Sequence, residues 1–167
     1  MNRFVTAQVA IDTNVFVFLL NDQENTNQHI DDLLSRLMSD QVRLCVDDKN
    51  RIAKEYLKHV QPLFKKASET GIRLQILRYW MNQDAWHRNE VIEMQGPEMK
   101  ALEGVLPGHG NRNDRIFIIV ACKYKTKLIT NDKSDIIVNR TALRRAISRW
   151  RTAATDFHTS TDVVAML

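Results

Sequence analysis

Cysteine, proline and glycine are scarce in this chain, with 2, 3 and 5 copies among 167 residues. Cys45 and Cys122 both sit inside apolar runs with no metal-ligand spacing between them, which argues against a disulfide framework and a zinc site and fits a reducing compartment. No apolar run approaches the roughly 18 residues of a membrane span. The opening Met1-Asn2-Arg3-Phe4-Val5 lacks the apolar stretch of a signal peptide. A soluble, cytoplasmic protein with no membrane partner is therefore expected. Internal repeats, low-complexity stretches and glycine- or serine-rich linkers are missing too, so residues 1–167 read as one domain. A hydrophobic content of 44% is enough to build its core.

Short apolar runs alternate with helical patterns. Strands are predicted at Val9 to Asp12, Val42 to Val46, Lys127 to Thr130 and Ala153 to Phe157. Helical spacing begins at Val15 to Leu20 and recurs over Ile30 to Met38. It recurs again in the stripe Ile52, Tyr56 and Val60, where Pro62 should interrupt or restart the helix. Residues 72 to 110 read as two or three helices ending in the loop Pro107-Gly108-His109-Gly110. Asn113-Asp114 then caps a helix from Arg115 to Lys125, and Leu143, Ile147 and Trp150 form a later apolar stripe. This alternation predicts an α/β layered domain.

Charge is segregated along the chain. Between Lys123 and Arg151 nine Lys or Arg face only Asp132 and Asp135, a local balance of +7 in a chain whose total is +4. A concentrated positive field of this kind draws phosphate backbones. The same residues would also make an ordinary solvated helix face.

Acids punctuate the elements. Asp12 ends the first strand, Glu55 lies on a helix, Asp114 opens another, and Asp132 follows the strand Lys127 to Thr130. Each has an ordinary reading. Asp12 and Asp114 suit helix caps, Asp132 suits a turn, and Glu55 can pair with Lys58 or His59. Asp47-Asp48 reads better as a turn and cap before the Arg51 helix than as more of the cluster. Taken together, however, strand-end and helix-start acids of one parallel sheet converge on its carboxyl edge, where packed carboxylates need a cation such as Mg²⁺ or Mn²⁺. The five histidines form no paired ligand spacing. His109, just ahead of Asp114, is the one within reach of such a site.

Ile11-Asp12-Thr13-Asn14-Val15, Ile52-Ala53-Lys54-Glu55-Tyr56, Asn113-Asp114-Arg115 and Leu128-Ile129-Thr130-Asn131-Asp132 together resemble the PIN-domain nucleases, as do the closing segment Ala154 to Thr159 and the final helix Ser160 to Leu167. The resemblance spans nearly the whole chain and is carried mainly by the first and last acidic motifs. It implies a three-layer α/β/α fold with a central, mainly parallel sheet. It further implies catalytic acids Asp12, Glu55, Asp114 and Asp132, with metal held by Asp12, Asp114 and Asp132 and supporting donors Thr13, Asn14 and Thr130. Asp135 stands where many relatives carry an aromatic residue, so it and Glu55 are additional ligand candidates. Residues 72–110 look like a helical insertion, and a basic helical segment around 137–151 precedes the last strand.

The activity implied is that of a divalent-metal-dependent endoribonuclease, in which a metal-activated water attacks a phosphodiester of single-stranded RNA. Arg115 and Lys133 are candidates to contact the scissile phosphate, and Arg144, Arg145 and Arg149 to bind the RNA, with Tyr124 as a stacking candidate. RNA, an antitoxin protein if the chain is a toxin, and a second copy of the chain stand as candidate partners. Two rivals remain. One is a non-catalytic RNA-binding module on the same fold, whose acids serve as caps. The other is a haloacid-dehalogenase-like phosphohydrolase, which requires a second Asp two residues after the first; Asn14 occupies that place.

Overall fold

The computed structural model describes residues 7–21, 42–64, 86–90, 94–148 and 157–159. These form a five-stranded, all-parallel sheet in the order β3-β2-β1-β4-β5, built from β1 (Ala7–Ile11), β2 (Val42–Asp47), β3 (Trp86–Glu90), β4 (Lys127–Ile129) and β5 (Phe157–His158). Helices α1 (Thr13–Asn21), α2 (Arg51–Phe64), α3 (Pro97–Glu103), α4 (Arg112–Lys123) and α5 (Arg140–Ala146) accompany it, with a π-helical turn at Lys133–Ile137. This is the expected α/β class. Consecutive residues Val9, Ala10 and Ile11 of β1 are buried, as are Leu44, Cys45 and Val46 of β2. Successive strand residues point to opposite faces, so both faces of the central sheet are covered, as a three-layer arrangement requires.

Strand order reverses at β1. The chain steps outward from β1 to β2 to β3, then returns to place β4 on the other side of β1, with Ala10 opposite Leu128 and Ile11 opposite Ile129. The connections leaving β1 and β4 therefore diverge, which opens a crevice at the carboxyl ends of these two strands. Beneath that edge lies an aromatic group. Tyr56 of α2 meets Phe16 of α1 edge-on at 5.1 Å and Phe117 of α4 at 5.8 Å between ring centroids.

Local chemistry explains how the helices begin. Asp47 is fully buried, accepts from the Ile52 amide at 2.9 Å and pairs with Arg51 at 3.1 Å, which gives it the turn-and-cap role. Asn50 bridges that turn in the left-handed region, φ 57°, which asparagine tolerates better than most residues. Helix α4 is buried along its whole run from Arg115 to Cys122, deeper than the partly buried helix expected.

Several expectations are corrected. Pro62 does not interrupt α2, which continues to Phe64. Lys58, Gln61 and Pro62 are all exposed, so water can satisfy the Lys58 carbonyl that proline leaves without a donor. The stretch 72–110 is not purely helical. It contributes strand β3 as well as α3, because a strand that pairs with β2 alone among the described residues tolerates the polar run His87-Arg88-Asn89-Glu90. Within the basic segment, Leu143 and Ile147 are buried as the stripe required. The predicted helix Ile30 to Met38, the helix Ser160 to Leu167, and Arg149, Trp150, Arg151 and Ala153 to Asp156 lie outside the described residues. No described helix is long and apolar enough to cross a membrane.

Candidate metal centre

Asp12 follows β1 directly. Its amide still donates to the Ile129 carbonyl at 2.8 Å, so the residue is held by the sheet while its side chain passes the sheet's end. Only 4% of it is exposed. Its Oδ2 accepts from Thr130 Oγ1 at 2.7 Å and from Asn14 Nδ2 at 2.8 Å, and its Oδ1 accepts from the Asn14 amide at 3.2 Å. The last bond, with the Val15 amide donating to the Asp12 carbonyl, makes Asp12 the N-cap of α1. Cap and buried carboxylate are one residue.

Asn14 fastens the crevice from the other side. Its Oδ1 accepts from the Asn131 amide at 2.9 Å, and its Nδ2 also lies 3.3 Å from Thr130 Oγ1. Thr130, fully buried, in turn accepts from the Asp132 amide at 3.0 Å. Asp132 Oδ1 accepts from Ser134 Oγ at 2.8 Å and from the Asp135 amide at 2.9 Å, which caps the π turn. The network Asp12-Asn14-Thr130-Asp132 thus joins the exits of β1 and β4. Thr13, the third expected supporting donor, is buried with its hydroxyl lacking a partner among the described residues.

The helical acids approach from α2 and α4. Glu55 pairs with His59, Oε1 to Nε2 at 3.0 Å, one of the two pairings open to it from sequence. It also lines a narrow cleft with Arg51, Ile52, Asn113, Ile116 and Phe117, between α2 and the start of α4. Asp114 is not a cap. The helix begins two residues earlier, after Asn111, and Asp114 lies half-buried in its first turn, accepting no hydrogen bond from the described residues.

Electrostatics show which acids share a neighbourhood. Burial raises the Asp114 carboxyl to about 7, with further upward pressure from the charges of Asp12, Asp132, Asp135 and Glu55. Burial likewise raises Asp12 to about 6, against the opposing bonds from Thr130 and the Asn14 amide, while Asp132 and Glu55 push it further up. Asp12, Asp132, Asp135 and Glu55 therefore all act on Asp114 through their charges, and Asp132 and Glu55 also act on Asp12. Their oxygens are hard donors, the chemistry Mg²⁺ and Mn²⁺ prefer, and the unfavourable charge between them is the kind a divalent cation offsets. The donor set fits such an ion in kind. In spacing it is open: among the described residues no three Asp, Glu, His or Cys side chains stand close enough together to hold one.

One expected substrate contact is corrected. Arg115 is buried and turned away from the acids. Its Nη1 donates to the carbonyls of Leu106 at 2.5 Å and Gly108 at 3.0 Å, and its Nη2 lies 3.6 Å from Glu103. Adjacent helix positions do not face each other, so following Asp114 in sequence sends Arg115 elsewhere. It fastens the loop in which Gly108 takes φ 86°, a conformation glycine adopts without strain, and on which His109 is exposed. Tyr124 is half-buried against the core with its hydroxyl 3.4 Å from the Val46 carbonyl. Lys133 and Arg145 are exposed and Arg144 is half-buried.

Tyr56 is the positioning residue that sequence reading missed. Fully buried, it donates its hydroxyl to the Ile11 carbonyl and so ties α2 to the last strand residue before Asp12. In sequence it shows only as one apolar-stripe residue beside Glu55. Comparisons with protein-family models, curated proteins and solved structures find no match to this chain.

Proposed function

We propose that this protein is a PIN-like, divalent-metal-dependent endoribonuclease acting on single-stranded RNA. One observation carries the reading: the charges of Asp12, Glu55, Asp132 and Asp135, drawn from separate parts of the chain, all reach Asp114 at the sheet's switch point, and burial first, neighbouring charge second, raises Asp12 and Asp114 toward neutrality. A fold that needed these acids only as caps has no reason to aim Asp114 at four others. Asp12, Asp114 and Asp132 are the proposed metal-holding groups, with Asp135 and Glu55 beside them. A divalent ion held by these residues would supply a water of lowered pKa and positive charge to offset charge developing on the phosphate.

The chain's own residues do the rest. Thr130 and Asn14 hold the Asp12 carboxylate in one orientation, so no ordering is needed when an ion arrives. Glu55, from the helical side, would either hold the ion or orient the attacking water. Lys133, exposed beside Asp132, supplies positive charge for a phosphate. Arg144 and Arg145, together with Arg140 on the same helix, offer the strand's backbone a basic track. In the toxin case an antitoxin would cover this track.

The deciding experiment incubates the purified chain with a single-stranded RNA oligonucleotide and Mg²⁺ or Mn²⁺, with EDTA and Asp12→Asn as controls. Cleavage lost in both controls is expected; cleavage unchanged in Asp12→Asn rejects the site. The non-catalytic reading has its own support, since Asp12 and Asp132 do cap their helical turns and no three donors close on a point. RNA binding without cleavage under either metal would favour it.

A further inference from the structure

We propose that Glu55 and His59 form a distinct site for a borderline transition-metal ion such as Zn²⁺, sharing Glu55 with the crevice and so opposing the Mg²⁺- or Mn²⁺-dependent activity. The two residues lie four apart on α2, a spacing that stacks side chains one turn above each other. Their Oε1 and Nε2 atoms are 3.0 Å apart. Bonds of about 2.0–2.1 Å to imidazole nitrogen and 2.0–2.2 Å to carboxylate oxygen, opened by between a right and a tetrahedral angle, put two donors about 2.8–3.5 Å apart. The two donor atoms therefore already stand at the separation a chelate requires, and turning both side chains onto one ion needs no movement of the helix.

Ligand chemistry gives the site its selectivity. Every other acid at the crevice offers oxygen alone, which suits Mg²⁺ and Mn²⁺. An imidazole nitrogen favours Zn²⁺, Co²⁺ or Ni²⁺ instead. The side chains are 43% exposed at His59 and 18% at Glu55, so an ion can reach them with water completing its shell. The charge of Glu55 is felt by both Asp12 and Asp114, which places the pair at the rim of the acidic field that concentrates cations. Zinc held here takes Glu55 away from the crevice. Binding at the pair stands on geometry alone; only its inhibitory consequence rests on the nuclease reading.

Calorimetric titration of Zn²⁺ into the full chain, in excess Mg²⁺ to occupy the oxygen donors, tests the site. Wild type is expected to bind Zn²⁺, and His59→Ala and His59→Gln to bind it about tenfold more weakly or worse, with unchanged circular dichroism because His59 is on the surface. Zinc affinity equal to wild type in both variants overturns the proposal. In RNA cleavage assays Zn²⁺ should inhibit wild type more strongly than either His59 variant. Zinc binding that depends on His59 in a protein that cleaves no RNA would uphold the site and reject the nuclease reading.

Discussion

Strand-borne and helix-borne acids at the crevice are held in different ways. Asp12 and Asp132 are wired into the backbone: each accepts amide bonds, each caps a helical turn, and Thr130 touches both. Asp114 accepts nothing from the described residues, and Glu55 has only His59. The strand side is thus oriented by the fold itself, whereas the helix side leaves its oxygens less constrained, and burial raises Asp114 further than the bonded Asp12. Sites that bind cations commonly divide labour in this way, with prearranged ligands that pass their ordering cost to folding and less constrained ones that close on the ion.

The largest effect expected from this asymmetry is on activity. Asp114→Asn and Asp12→Asn should each lower RNA cleavage by about 10²-fold or more, but their effects on stability should differ. Asp114→Asn removes a crowded charge with no bonds to lose and should raise the melting temperature of the metal-free protein. Asp12→Asn keeps a good capping side chain yet weakens the bond from Thr130, and should raise it less. A reversed order in thermal melts would show that Asp114, not Asp12, is the anchored residue.

Next in size is a pH dependence. Both carboxyls have folded values, about 6 for Asp12 and about 7 for Asp114, above the ordinary 3.8. The folded chain therefore binds more protons than the unfolded chain across that window. Their contribution to stability is complete below 3.8 and is lost as pH rises through about 6 and then about 7. Metal-free protein should melt at lower temperature at pH 8 than at pH 5.5, with Mg²⁺ recovering the loss at pH 8 and Asp114→Asn flattening the upper half of the slope. A melting temperature independent of pH and Mg²⁺ over this range would dissolve the cluster as an energetic unit. Smaller still is Thr130→Val, which keeps the side-chain shape and deletes the hydroxyl; it should cost about 1–3 kcal/mol in urea unfolding. A neutral result would mean that the strand side is not wired as described.

What could be read from sequence follows the same division. Strands β1, β2 and β4 are legible because central strands covered on both faces carry consecutive apolar residues, as in Val9 to Ile11, Leu44 to Val46 and Leu128-Ile129. Asp12 and Asp132 were legible because each breaks such a run. Strand β3 was not legible, since His87-Arg88-Asn89-Glu90 carries no apolar run and owes its state to pairing with β2. Asp114 was found as an acid but given the wrong helix start, and Arg115 was given a phosphate role from adjacency that helical rotation forbids. Tyr56 is legible as a stripe residue, but its positioning bond is not. Its hydroxyl meets a carbonyl 45 positions away, a contact without a local pattern.

The smallest expected effect probes whether the basic segment belongs to the same function as the acids. Arg144→Ala combined with Arg145→Ala should weaken binding of single-stranded RNA, measured with the inactive Asp12→Asn background so that cleavage does not intrude. If each arginine neutralises one phosphate, the slope of log affinity against log salt should become shallower by about 0.7 per lost contact. Arg145, the exposed member, should account for more of the change than the half-buried Arg144 when each is replaced alone. Helix α5 follows the π turn capped by Asp132 after only Val138 and Asn139, so RNA lying on it would run toward the crevice. An unaltered salt slope would separate the two regions, leaving the acids with their chemistry and the arginines as a solvated face.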